Sequence, residues 1–258
     1  MLNTATPQKS IVTGAASGIG YAIAEQLIAA GGKVVAFDLD SAGLTAAAEK
    51  LGDAYISHPG SVTDIGDVQA AVTLAESELD GIDSLFNVAG GLRPAPITEL
   101  AEDDWDFTVD VVLRSVYLCT KYVARSMIRA GKGGAIVNIA SVNAHIPLYG
   151  GSAYAAGKAG ADMFGKNAAL ELAPHGIRVN TVLPGLVQTP MAGFILENEQ
   201  IMSEFYANAV LKRPAQPAEL AAPAVFLASG AAGYITGASL VVDGGYEIGS
   251  YPDLSKHL

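Results

Sequence analysis

The sequence predicts one doubly wound α/β domain: a parallel seven-stranded sheet with helices on both faces. Three observations point to it. Short β-branched, apolar runs alternate with longer Ala-rich segments of helical periodicity. The strand runs are mostly apolar, as expected where both faces of a sheet are covered. No Pro/Ser-rich linker, internal repeat or low-complexity tract divides the chain, so one domain is expected over residues 1–258.

The elements follow in order. SIVTG (10–14) forms the first strand, and a helix over 19–30 follows it. KVVAFD (33–38) leads into a helix over 41–50, and AYIS (54–57) into one over 64–79. SLFNVAG (84–90) precedes a long helical run over 102–130. AIVNIAS (135–141) precedes a helix over 152–173. IRVNTVLPG (177–185), a helix over 217–228 and SLVVDGG (239–245) complete the pattern. The one long irregular stretch, from Gln188 to about Pro217, reads as a functional lid centred on 188–213.

Bulk properties exclude several classes. Half the residues are apolar and 16% are charged, enough for a sizeable core. A net charge of −11 argues against an electrostatic nucleic-acid or anionic-membrane binder. The single cysteine, Cys119, excludes an internal disulfide framework and a Cys-based zinc site, and reads as a core thiol. The four histidines lack metal-ligand spacing, so no metal is expected. Neither a leader-like segment nor an apolar run of membrane-spanning length is present, and a cytoplasmic protein is expected.

Chemistry enters at the first strand-to-helix turn, Thr13-Gly14-Ala15-Ala16-Ser17-Gly18-Ile19-Gly20. Its glycines permit a tight turn whose backbone N–H groups can approach a pyrophosphate, and the helix N-terminus adds partial positive charge. The spacing is G-x-x-x-G-x-G. Asp38 closes the second strand, eighteen residues after Gly20. A carboxylate there accepts hydrogen bonds from an adenosine ribose diol and repels a 2′-phosphate, which points to NAD. Tyr154 and Lys158 stand four apart in a helical run, on one face. A cation beside a phenol is expected to draw its pKa from about 10 toward neutrality, where it can act as acid or base.

Together these motifs resemble the short-chain dehydrogenase/reductase family over nearly the whole chain, from about Lys9 to Tyr246. The glycine turn is similar to the family's T-G-x-x-x-G-x-G, and Asn87-Val88-Ala89-Gly90 to its N-N-A-G. Ser141 precedes Tyr154 by the family's usual thirteen residues, Tyr154 and Lys158 match Y-x-x-x-K, and Pro184-Gly185 with Thr189 resembles the nicotinamide-holding segment. The resemblance implies a Rossmann-type sheet in the order 3-2-1-4-5-6-7. It implies that Tyr154 is the general acid/base, that Lys158 lowers its pKa and bonds the nicotinamide ribose, and that Ser141 holds the substrate oxygen. NAD would contact Gly14, Ser17, Gly18, Ile19 and Gly20 in the turn. It would meet Asp38, Ser61 and Val62 on the adenine side, and Asn87, Ala89 and Gly90 around the adenosine ribose and phosphates. Pro184, Gly185, Val187 and Thr189 would contact its carboxamide or diphosphate. A homotetramer, or else a homodimer, is also implied.

Two departures stand out. Val112, in Val111-Val112-Leu113-Arg114-Ser115, occupies the place of an Asn that in the family holds a relay water, and Ser115 replaces a Gly. Ser61 stands where the family has an adenine-reading Asp, and as a turn residue it has an equally good reading. Around the expected nicotinamide position, 91–96, 142–151 and the lid are mostly apolar, with Arg93, Asn143 and His145 as polar candidates. Asn143 joins Ser141 and Tyr154 as a substrate contact. His145 reads as packed or solvent-facing, and Arg93 as solvated. The expected activity is NAD(H)-dependent interconversion of a secondary alcohol and its ketone. The alternatives are an NADPH-dependent 3-oxoacyl-type ketoreductase and a non-catalytic dinucleotide sensor.

Overall fold

Seven apolar runs pair side by side into one parallel sheet in the computed structural model, which describes residues 5–249. The strands are β1 Lys9–Thr13, β2 Lys33–Asp38, β3 Tyr55–Pro59, β4 Ser84–Asn87, β5 Gly134–Ile139, β6 Ile177–Pro184 and β7 Ser239–Val242. Their order is β3-β2-β1-β4-β5-β6-β7, as the sequence predicts. The helices are α1 Gly18–Ala29, α2 Ser41–Leu51, α3 Ile65–Leu79, α4 Glu102–Val109, α5 Ser115–Ala130, α6 Ser152–Leu172, α7 Gly193–Leu196, α8 Glu199–Asn208 and α9 Pro217–Ala228.

Successive strand residues serve two cores. Val12, Val34, Phe86, Val137 and Val182 pack with Ile23 and Leu27 of α1, Leu44 of α2 and Leu220 of α9. Ile11, Val35, Leu85, Ile136 and Val179 pack with Val68 of α3, Val123 and Met127 of α5 and Ala168 of α6. Each fully buried aliphatic side chain contributes about 1.5–3 kcal/mol. Cys119 lies in the second core, and burial pushes its thiol up to about 12, so it behaves as a small apolar side chain. Strand β1 pairs with both β2 and β4, and the chain leaves those two inner strands toward opposite faces. That divergence opens a cleft at the strands' C-terminal ends, where such sheets bind ligands.

Two elements differ from expectation. The run over 102–130 is broken by a π-helical turn at Asp110–Arg114, where the Ser115 N–H reaches back to the Asp110 carbonyl. The Ser115 hydroxyl donates to the Val111 carbonyl at 2.5 Å, satisfying an acceptor in the widened turn. Val112 of that turn is fully buried, and any Cβ added to Gly157 of α6 would collide with it. The lid is also more ordered than predicted, for it holds α7 and α8. Asn198 starts α8 by accepting the Gln200 and Ile201 N–H groups, both at 3.1 Å, while Met202 turns inward.

Candidate active site

The glycine turn is shaped by close approaches. Gly14 (φ 65°) has Ala89 N only 2.9 Å from where a Cβ would sit, so the β1 and β4 turns touch through backbone. The Thr13 hydroxyl oxygen accepts the Val88 and Ala89 N–H groups at 2.9 and 3.1 Å and locks the two turns together. A Cβ on Gly20 would strike the Gly14 carbonyl. Ser17 is the N-cap of α1 but its side chain makes no capping bond, which leaves N–H groups of the first turn facing the cleft.

Asp38 stands beside this turn. Its Oδ2 accepts the Ala16 N–H at 3.0 Å and its Oδ1 accepts the Asp40 N–H at 2.9 Å, so a half-buried carboxylate is fixed at the end of β2. The next residue, Leu39, is 77% exposed. The edge of the cleft therefore offers an anion and an apolar side chain, with no cation adjacent in sequence. Glycine cradle, open helix start and carboxylate together fit a dinucleotide.

The other end of the cleft gathers Ser141, Tyr154 and Lys158. Ser141 leaves β5 in extended conformation, and its hydroxyl oxygen accepts the Asn143 N–H at 3.1 Å. The same hydroxyl donates to the Asn143 Oδ1 at 3.1 Å and faces the Tyr154 phenol. Lys158, one turn along α6 from Tyr154, is buried, donates to the Ile139 carbonyl at 2.8 Å and lies 5.6 Å from the Tyr154 ring centre. Burial pushes the Lys158 ammonium down to about 8. The Tyr154 phenol moves the other way from the expected shift: enclosure of its hydroxyl raises it above 10, and the nearby Ser141 hydroxyl opposes that more weakly. In this geometry desolvation decides the direction, correcting the expectation of a near-neutral phenol.

Beyond these, Gly90 lies near Lys158, the point where its Cβ would sit being 3.8 Å from Nζ and 3.6 Å from the Met191 methyl. The Thr189 methyl lies 3.1 Å from the corresponding point on Gly18. Residues 189–191 thus reach over the cleft from the glycine turn to the β4 turn. Val187 is buried and bridges to Ala215, and Gly185 packs closely against Asp243.

Several side chains sit elsewhere than the sequence suggests. The Asn87 amide turns into the protein, donating to Asn138 Oδ1 at 2.9 Å and Thr120 Oγ1 at 3.2 Å, so only its backbone is placed for the cofactor contact implied by resemblance. The Ser61 hydroxyl pairs with Thr63 Oγ1 at 2.8 Å within its own turn. Arg93 is not simply solvated: it pairs with Asp104 at 2.8 Å and lies 4.0 Å over the Phe107 ring. His145 meets Glu247 at 2.9 Å across the cleft mouth. Nothing in the sequence joined residues 102 positions apart, and Glu247 lay beyond the matched motifs.

Comparison with known proteins agrees with this geometry. Residues 14–247 match the family model described as Enoyl-(Acyl carrier protein) reductase. The chain is 42% identical to the D-threitol dehydrogenase of Mycolicibacterium smegmatis, covering 93% of this chain and 92% of that one. It is 37% identical to the cyclopentanol dehydrogenase of a Comamonas species (92% and 95% covered), and 36% identical to the 3-oxoacyl-[acyl-carrier-protein] reductase FabG of Vibrio harveyi (92% and 96%). A crystal structure of a short-chain type dehydrogenase/reductase from Mycobacterium marinum superposes with a TM-score of 0.90 at 30% identity, covering 96% of this chain and 98% of that one. The chain belongs to the short-chain dehydrogenase/reductase family of oxidoreductases.

Proposed function

We propose that this protein is an NAD(H)-dependent dehydrogenase that interconverts a secondary alcohol and its ketone. The observation that carries the reading is Lys158, buried on the Ile139 carbonyl and 5.6 Å from the Tyr154 ring centre, with the Ser141 hydroxyl fixed just beyond β5. A nicotinamide bound there supplies or accepts the hydride. The chain's residues handle the proton and the geometry. Tyr154 gives its proton to a ketone oxygen, or takes one from an alcohol, while Ser141 holds that oxygen with a second hydrogen bond. Asn143 fixes the Ser141 hydroxyl, and Lys158 carries positive charge beside the phenol as its proton leaves. Because burial keeps the phenol neutral, the resting site is set to donate; oxidation first requires Tyr154 to lose its proton.

Asp38 supports NAD over NADP, because a 2′-phosphate would meet a fixed carboxylate. The threitol and cyclopentanol dehydrogenases among the relatives favour a small alcohol. A second reading, an NADPH-dependent 3-oxoacyl-type ketoreductase, has the Vibrio harveyi relative behind it. We place the protein in the cytoplasm; exposed apolar side chains on α5 and α6 (Tyr117, Met163, Leu170) and on α9 and β7 (Phe226, Leu240) support a homotetramer or homodimer. An absorbance screen of NAD+ and NADP+ with polyols, cyclic alcohols and hydroxyacyl thioesters tests the reading. Turnover of a polyol or cyclic alcohol with NAD+ supports it; turnover confined to NADP(H) and acyl thioesters replaces it with the second reading.

A further inference from the structure

Beyond β7 the chain turns back over the mouth of the cleft. The Asp243 carboxylate accepts the Gly245 and Glu247 N–H groups at 2.8 and 2.7 Å, and Gly244 and Gly245 take left-handed backbone conformations (φ 64° and 79°). The segment so formed touches both walls. On the lid side, the Gly244 carbonyl accepts the Leu211 N–H at 2.8 Å, and the Tyr246 ring stacks on Phe205 of α8 at 5.0 Å with 9° between planes. On the opposite side, Glu247 Oε1 pairs with His145 Nδ1 at 2.9 Å. The His145 backbone N–H donates to the Val142 carbonyl in the turn that Ser141 begins, so the chain carrying the imidazole is anchored four residues from Ser141.

We propose that Tyr246 and Glu247 are positioning residues: they fasten the lid to the Ser141 turn, so that the two walls of the substrate cleft are set as one unit. This rests on the reading of Ser141 as a substrate contact. Stacking holds one wall and a polar pair holds the other, and the rigid Asp243 turn between them carries displacement from one to the other. The His145–Glu247 pair is about one-third exposed on each side, so it can open and close with the lid. Phe205 and His145 belong to segments sixty residues apart in sequence, each touching the strap and neither stacked on the other. Tyr246 and Glu247 are adjacent in the chain, so they offer a short route by which the two can be coupled.

The test is a double-mutant cycle on Phe205→Ala and His145→Ala, with hydrogen exchange of the α8 amides and, in parallel, KM and kcat for NAD+ with D-threitol and cyclopentanol as probes. His145→Ala is expected to speed α8 exchange several-fold, and Glu247→Ala to reproduce the effect. KM should rise more than kcat falls. The double variant should lose less than the product of the single losses, since non-additivity marks coupled sites. Glu247→Asp should restore part of the protection. Unchanged α8 exchange in both His145→Ala and Glu247→Ala overturns the proposal, as do strictly multiplicative effects. Exchange needs no substrate, so failure to turn over either alcohol would count against the catalytic reading alone.

Discussion

Replacing Lys158 with Met isolates the burial of this cation. The amine is buried and donates a single hydrogen bond to the protein, to the Ile139 carbonyl. Its pKa falls from 10.5 to about 8 through desolvation. Between those values the unfolded chain binds a proton that the folded chain has released, so stability rises with pH across this window. The penalty is fully present below pH 8 and absent above 10.5. At pH 7 it amounts to about 3 kcal/mol, a shift of roughly 2.5 units at 1.36 kcal/mol each. Lys158→Met removes that penalty but leaves the Ile139 carbonyl without its partner, at a cost of about 1–3 kcal/mol. The variant should therefore equal or exceed the wild type at neutral pH while losing turnover. The cleaner signal is the difference between the two proteins, in which other titrating groups cancel. The wild type should gain about 2 kcal/mol on the variant between pH 7 and pH 9.5. Urea unfolding at fixed protein concentration across that range measures it. Parallel curves would refute the idea that Lys158 is held as a desolvated cation.

Three further outcomes follow from the same geometry. Oxidation of an alcohol should accelerate as pH rises, since the burial-raised Tyr154 phenol must lose its proton, whereas ketone reduction should slow only at high pH; stopped pH profiles in both directions check the sign. Asp38→Ala should narrow the preference for NADH over NADPH by at least tenfold, about 1.4 kcal/mol, as measured by the ratio of kcat/KM values. Gly157→Ala should destabilise the fold by about 1–3 kcal/mol, because its new methyl collides with buried Val112, and Val112→Ala in the same chain should recover part of the loss in urea melts.

Strand runs such as KVVAFD and IRVNTVLP were legible because both faces of each strand are buried, so apolar residues dominate them at adjacent positions instead of alternating with polar ones. Spacing along one helix made Tyr154 and Lys158 legible, and the thirteen-residue interval added Ser141. The π-helical turn escaped notice because Asp110–Arg114 keeps helical composition; the Ser115 N–H on the Asp110 carbonyl and the Ser115 hydroxyl on the Val111 carbonyl mark it only in three dimensions. Helix α8 was hidden by the turn-forming residues before it, although Asn198 followed by Ile201, Met202 and Phe205 is a cap and an apolar face. The Tyr154 shift was misjudged because a pair rule weighs charge and omits solvent, whereas enclosure of the hydroxyl decides the direction here. Long-range partners such as His145 with Glu247, or Asn87 with Asn138, depend on sheet topology and loop return, which no local pattern encodes.

The most direct test of Tyr154 as the acid/base is NAD+-linked turnover of a secondary alcohol by the wild type and by Tyr154→Phe, with NADH binding followed by fluorescence in both. The account predicts that the variant binds NADH as the wild type does and loses turnover by a factor of at least ~100, the scale of general acid–base catalysis. Undiminished turnover in the variant would contradict it.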